Sequence, residues 1–383
     1  MVRNRVLLVL LLAGLAAVPS LGFLTLAPNR LVSGVPIGLA AALRQGGEAL
    51  LIPAALLAAG PFLPQRRATH AAMALAAAGF LLLLVRLAGS EAALLAASAP
   101  PIASISLGGG FWLLLFVASL ALSDAMRRLA LPVWATALLG AAICGALALL
   151  LLSGALDALA ILREYTARRS AFGAALARHV LMVALALLPT VLVGLPLGIW
   201  AQRRRGLAGW LFPLLNIVQT IPSIALFGLL LAPLSTLARL FPALAAWGIG
   251  GVGLLPAVIA LFLYTLLPVV RDTAEGLAGV SPAALEAGRG LGMTPGQLLW
   301  RVELPLALPV ILSGLRIATL QAIGLAAVAA LIGAGGLGAI MFQGLFADAL
   351  DLVLLGVVPI VLLALAADLL FELGIAYAGR LPR

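Results

Sequence analysis

Residues 281–305 read Ser281-Pro282-Ala283-Ala284-Leu285-Glu286-Ala287-Gly288-Arg289-Gly290-Leu291-Gly292-Met293-Thr294-Pro295-Gly296-Gln297-Leu298-Leu299-Trp300-Arg301-Val302-Glu303-Leu304-Pro305. Two helix starts follow one another. Ser281 offers an N-cap oxygen with proline at the first helical position, opening a short helix through Ala283–Ala287 that Gly288, Gly290 and Gly292 bring to an end. Thr294 and Pro295 repeat the signal, and Gln297, three residues after the cap, can close a capping box leading into Leu298-Leu299-Trp300. The pattern predicts two short helices joined by a sharp turn at Gly290-Leu291-Gly292-Met293. Such a knob either ties its neighbours together or fits a groove in another protein.

What flanks it is apolar. The chain has 383 residues, 64% hydrophobic and 9% charged, with a mean hydropathy of +1.23. A water-soluble globule carries roughly 25% charged residues, so this chain has too little polar surface for one. It reads as an all-α integral membrane protein. Crossing about 30 Å of hydrocarbon takes roughly 17–25 apolar residues. About ten such stretches occur, near 6–27, 48–64, 70–88, 108–123, 131–153, 179–200, 208–231, 250–270, 306–333 and 352–378. The first follows Met1-Val2-Arg3-Asn4-Arg5 like a secretory signal, but its apolar run is long and no clean small-x-small cleavage site precedes Pro28, so an uncleaved helix is expected.

All 23 basic residues are arginine. Without lysine the chain can build neither a P-loop nor a Schiff base. One cysteine (Cys144) and two histidines (His70, His179) provide no disulfide framework, zinc site or iron–sulfur centre. The net charge of +10 is spread between apolar stretches, as topology-setting loop charge is, rather than gathered for nucleic acid. With the N-terminus inside, fourteen arginines fall in inner segments and eight in outer ones, which predicts both termini in the cytoplasm.

Three regions are expected: an N-terminal transmembrane part (1–156, about five helices), a polar amphipathic connector (157–177) carrying Asp157, Arg163, Glu164, Arg168 and Arg169, and a second transmembrane part (178–378). The longest inner interruption of that second part is 271–303. No segment of the first half echoes the second, so the halves are different modules rather than a duplication.

Glu286-Ala287-Gly288, then Gly292 after three residues, then Val302-Glu303-Leu304-Pro305 after nine more, resemble the EAA loop of type I ABC importer permeases. Gly288 stands for the motif's second alanine and Val302 for its isoleucine. The resemblance extends over roughly 173–378 through Arg178-His179, Gly194-Leu195-Pro196-Leu197-Gly198-Ile199, Gln219-Thr220-Ile221-Pro222-Ser223, Leu263-Tyr264-Thr265-Leu266-Leu267-Pro268 and Ile332-Gly333-Ala334-Gly335-Gly336-Leu337-Gly338. These are similar to the permeases that import glycine betaine, choline, carnitine or proline betaine. The N-terminal half, with Ala27-Pro28-Asn29-Arg30-Leu31-Val32-Ser33-Gly34 and Ser106-Leu107-Gly108-Gly109-Gly110-Phe111-Trp112, resembles the longer Yeh-type subgroup. The resemblance implies a bacterial inner-membrane subunit that binds no cofactor itself. It also implies a second permease subunit, cytoplasmic ATPase subunits and a periplasmic substrate-binding protein as partners. Hydrolysis would then belong to a partner chain, with Ala284, Leu285, Glu286, Ala287, Gly288 and Gly292 coupling to the ATPase.

Smaller signals in the sequence have plainer explanations beside functional ones. Asn216, Gln219, Thr220 and Ser223 put polarity and a helix-breaking proline inside an apolar span, which suits a pathway face and helix packing equally. Arg316 reads as snorkelling or paired with a carboxylate. Asp368 and Glu372, one turn apart, read as interfacial or paired with Arg380. His179 reads as structural, and Gly333, Gly335, Gly336 and Gly338 as a close-packed bend, since no strand precedes them as a phosphate loop requires. Aromatic residues at 6% define no cage for a quaternary ammonium. The competing function is an ion-gradient-driven secondary transporter, which calls for inverted repeats and buried coupling carboxylates. Neither feature occurs before the last span. A membrane enzyme would need a catalytic constellation that is missing.

Overall fold

The computed structural model describes residues 3–29, 32, 34–241, 243, 250 and 252–379, in two compact units, Met1–Ala167 and Arg168–Arg383.

In the first unit, α1 (Arg5–Ser20) leads into β1 (Leu24–Ala27), followed by β2 (Val35–Ile37), α2 (Leu39–Arg44) and α3 (Leu51–Ala59). Then come α4 (Arg67–Ser98), β3 (Ser104–Leu107), α5 (Gly109–Leu129), α6 (Val133–Leu152) and α7 (Ala160–Ala167). The strands form a small antiparallel sheet of order β2-β1-β3, with Leu24 opposite both Ile37 and Leu107. The second of the stretches that resemble the Yeh-type subgroup enters the sheet at Ser106 and Leu107, opposite Thr25 and Leu24. Gly108 donates to the Phe23 carbonyl at 2.9 Å, and Phe23 packs on Phe111 with ring centroids 5.9 Å apart. At the start of α1, Asn4 donates to Asp124 at 2.9 Å, and Asp124 also holds Arg128 at 2.8 Å. Asn4 and Asp124 are buried, so this pairing is what makes their polarity tolerable.

The second unit is built on α8 (Arg169–Arg203), α9 (Arg205–Thr220), α10 (Ser223–Leu240), α11 (Leu254–Ala278), α12 (Pro282–Gly290), α13 (Pro295–Leu298), α14 (Leu304–Val328), α15 (Leu337–Phe346) and α16 (Leu350–Ala378). Its centre is a close approach of α8 to α11. Thr190, Gly194 and Gly198 recur every fourth residue on the buried face of α8, the small-residue spacing that lets helices pack without a hydrophobic driving force. A Cβ at Gly198 would lie 2.5 Å from the Thr273 Cβ and 2.7 Å from the Val270 carbonyl. The buried hydroxyls of Thr190 and Thr265 bond across the same seam at 2.6 Å.

Eight helices among the described residues are long and apolar enough to span a membrane, fewer than the ten stretches expected. The predicted 6–27 span stops as a helix at Ser20, and its remaining apolar residues become strand β1. The 48–64 stretch forms a short helix, Glu48–Phe62, with α3 between two 3-10 turns, and is too short to count as a span. The 208–231 span is two helices, α9 and α10, because Pro222 lacks the N–H that would continue the first.

Candidate functional site

The 281–305 knob forms as its caps dictate. The Ser281 hydroxyl accepts from the Ala284 N–H at 3.3 Å, a cap that contributes about 1 kcal/mol. At the other end of α12, Met293 donates to Gly288 at 3.2 Å and Gly292 to Arg289 at 2.9 Å, with Gly292 at φ +75°. These paired bonds are a Schellman motif, which needs a left-handed residue where glycine stands. Thr294 and Gln297 close the capping box reciprocally, at 2.9 and 3.3 Å.

The second short helix does not end as a separate piece. A wide π-turn over Leu299–Glu303, in which Leu304 donates to Leu299, carries it directly into α14. The proline ring at 305 would clash with the carbonyl four residues back in a regular helix, and the widened turn makes room for it.

The knob has two faces. Ala284 and Leu285 point inward against Leu277, Val280, Ala307 and Ile311, with Leu195 and Ile199 of α8 on the same cluster. Gly288 is buried, and a Cβ there would lie 2.6 Å from Leu298, so the glycine that replaces the motif's alanine reflects closer packing. Glu286, Ala287 and Gly292 face outward. Leu291 and Trp300 are also open, 79% and 72% exposed. Sequence reasoning passed over these two side chains, since nothing in their spacing separates them from a buried face. Glu303 anchors the far end of the knob to Arg203 of α8 at 2.8 Å.

The second candidate region is the α9/α10 break. Pro268 has no N–H, so the Tyr264 carbonyl lacks its helical donor, and the Gln219 side-chain amide fills the place at 2.6 Å. The Tyr264 hydroxyl in turn donates to the Ile221 carbonyl freed by the break. Gln321 of α14 donates to the Gln219 Oε1 at 3.3 Å. Gln219 thus braces three helices. Asn216, one turn earlier, accepts from Arg271 at 3.4 Å, and the Thr220 hydroxyl returns to its own helix at Ile217, 2.8 Å away. Ser223 opens α10, half-buried. The four predicted polar residues therefore lie around one break but have different partners. Tyr264→Phe should leave the Ile221 carbonyl unsatisfied and cost about 1–3 kcal/mol, read as a lower thermal midpoint of the detergent-solubilised chain.

Gly333, Gly335 and Gly336, all at φ between +78° and +80°, turn the chain between α14 and α15. Arg178 donates to the Ala334 carbonyl at 3.0 Å, and the buried His179 places Nε2 3.2 Å from the Ile323 carbonyl. Arg178 thus clamps the glycine bend, while the adjacent His179 bonds α14 and lies against Gly336, where a Cβ would be 3.3 Å from its Nδ1. The described residues contain no His/Cys/Asp/Glu cluster able to hold a metal.

Residues 3–162 match the family model described as ABC transporter permease YehY, N-terminal domain, and residues 194–374 match that of the binding-protein-dependent transport system inner membrane component. The chain is 42% identical over 195 residues to the osmoprotectant import permease protein OsmW of Salmonella typhimurium, covering 51% of this chain and 86% of that one. It belongs to the permeases of binding-protein-dependent ABC importers. The permease is also 41% identical over 193 residues to the glycine betaine/carnitine/choline transport system permease protein OpuCD of Bacillus subtilis, covering 50% of this chain and 77% of that one. The MetNI methionine ABC transporter in its inward-facing conformations is similar at 21% identity and a TM-score of 0.47, over 55% of this chain and 97% of that one.

One expectation about the permease's charges is met, since Arg316 pairs with a carboxylate. Asp368 pairs with Arg316, through Nε at 2.5 Å and Nη2 at 2.8 Å. Its expected partner Arg380 lies outside the described residues. The two-pronged guanidinium matches a carboxylate on a neighbouring helix, a pairing 52 residues apart that helical periodicity could not show.

Proposed function

We propose that this permease forms the translocation path of an importer for quaternary-amine osmoprotectants such as glycine betaine, carnitine or choline. It would work by alternating access in a bacterial inner membrane, with both termini in the cytoplasm. Its partners would be a second permease subunit, two cytoplasmic ATPase subunits and a periplasmic binding protein. The chain itself would bind no cofactor and hydrolyse no ATP. The observation that carries this reading is the doubly capped knob at 281–305, where Glu286, Ala287, Leu291 and Trp300 stand out on a surface anchored at both ends. Ala284, Leu285 and Gly288 would hold that surface to the membrane helices, and Gly292 would set its turn. Asn216, Gln219, Thr220 and Ser223, at the α9/α10 break, would border the path. The cargo class is supported by the names of relatives about 40% identical over the second half.

The test is uptake of labelled glycine betaine and choline by proteoliposomes holding the full transporter, with and without ATP inside and binding protein outside. ATP- and binding-protein-dependent accumulation is expected. Accumulation driven by an ion gradient, with ATP indifferent, would overturn the reading.

A further inference from the structure

Three of the four polar side chains of α14 lie on one side of the helix. At 100° per residue, Ser313, Arg316 and Gln321 span an arc of roughly 140°. Within it Val310, Ile317 and Gly324 are exposed at intervals of seven. The fourth, Thr319, lies outside the arc, buried, with its hydroxyl turned back to Leu315 at 2.8 Å.

Arg316 is about 18 Å along the axis from the start of α14, and Asp368 about 15 Å from the end of α16. At about 37 and 43 Å, α14 and α16 are longer than a hydrocarbon layer of about 30 Å, so with each helix centred in it the pair lies roughly 8–14 Å inside one edge. Their side chains are 33% and 31% exposed. Lipid tails do not accept an ion pair left one third uncovered, so intramembrane charges face a bundle interior or a water-filled cavity. The polar edges of this α14 face and the bare Gly324 at its middle fit water. Glu372, one turn beyond Asp368, adds a second carboxylate on that side of α16.

We infer that Arg316 and Asp368 line the translocation path and discriminate cargo by charge. The guanidinium would meet a cargo carboxylate, and Asp368 the quaternary ammonium. This rests on the quaternary-amine reading above. A pair that is neutral overall would pass both a zwitterion such as glycine betaine and a cation such as choline, whereas a single remaining charge would favour one over the other.

Two measurements on the full transporter in proteoliposomes test this. In a Cys144→Ser background, Ile317→Cys and Gly324→Cys should each react with a membrane-impermeant, hydrophilic thiol reagent. If both are inert in the folded, assembled transporter, the face is covered and the inference fails. The second readout is the ratio of choline to glycine betaine uptake, relative to the parent. Arg316→Gln should raise it about tenfold and Asp368→Asn lower it about tenfold, the size expected of one poorly screened charge. The reversed pair, Arg316→Asp with Asp368→Arg, should return the ratio to within about twofold of the parent. A pair that only braces α14 to α16 would lower both uptakes equally, and an unchanged ratio would overturn the inference. A parent transporter that imports neither amine would overturn the cargo reading instead, and the thiol reaction would still decide whether this face lines an aqueous path.

Discussion

Gly292→Asp is expected to leave the permease inserted and folded but to reduce ATP-driven uptake to background while the assembled transporter still hydrolyses ATP. The residue sits at φ +75° at the end of α12, and no atom lies within 4 Å of where a Cβ would go. A side chain there therefore meets backbone strain of about 1–2 kcal/mol rather than a clash, and the membrane helices are untouched. What changes is the turn that sets α12 against the α13 start, together with a new carboxylate on a face that already presents Glu286. Hydrolysis and uptake measured on the same proteoliposomes read the result. Full uptake by a correctly inserted variant would count against a coupling role for the knob.

Gly338→Val should have the largest effect on stability. A Cβ at this first-turn residue of α15 would press into the Ala327 carbonyl and lie 2.8 Å from the Ala327 Cα. The obstacle is backbone at the end of α14, not a side chain that can rotate away, so the cost should exceed about 3 kcal/mol. The expected outcome is a sharp loss of monodisperse protein from detergent extracts. Gly333→Ala makes the comparison: its φ is +78° but its surroundings are open, so it should pay only the local strain of about 1–2 kcal/mol.

These two glycines show which parts of the molecule could be read from sequence. Gly292 belongs to a local pattern of cap, proline and glycine within a few residues, and the structure forms Ser281, Thr294 and Gln297 into the caps their spacing dictates. Features set by residues far apart were hidden. The sheet pairs Leu24 with Leu107, and the apolar run through Phe23 looks the same whether it continues a helix or enters a strand. The brace at the α9/α10 break needs Gln219, Tyr264 and Gln321 from three helices. Its local hints are Gln219 beside the helix-breaking Pro222, and Pro268, four residues after a tyrosine whose carbonyl it deprives of a donor. The Arg316–Asp368 pair and the outward setting of Leu291 and Trp300 likewise follow from how the helices lie together.

The central claim is that the 281–305 knob seats on a separate ATPase. Its most direct test is site-specific cross-linking in the assembled transporter, with Glu286→Cys in a Cys144→Ser background and a short bifunctional thiol reagent. The account predicts a covalent product between this chain and the ATPase subunit, whose yield changes when ATP is trapped on the transporter. An ATPase that co-purifies with the chain yet forms no cross-link from position 286, while one forms from Arg204→Cys at the junction of α8 and α9, would contradict it.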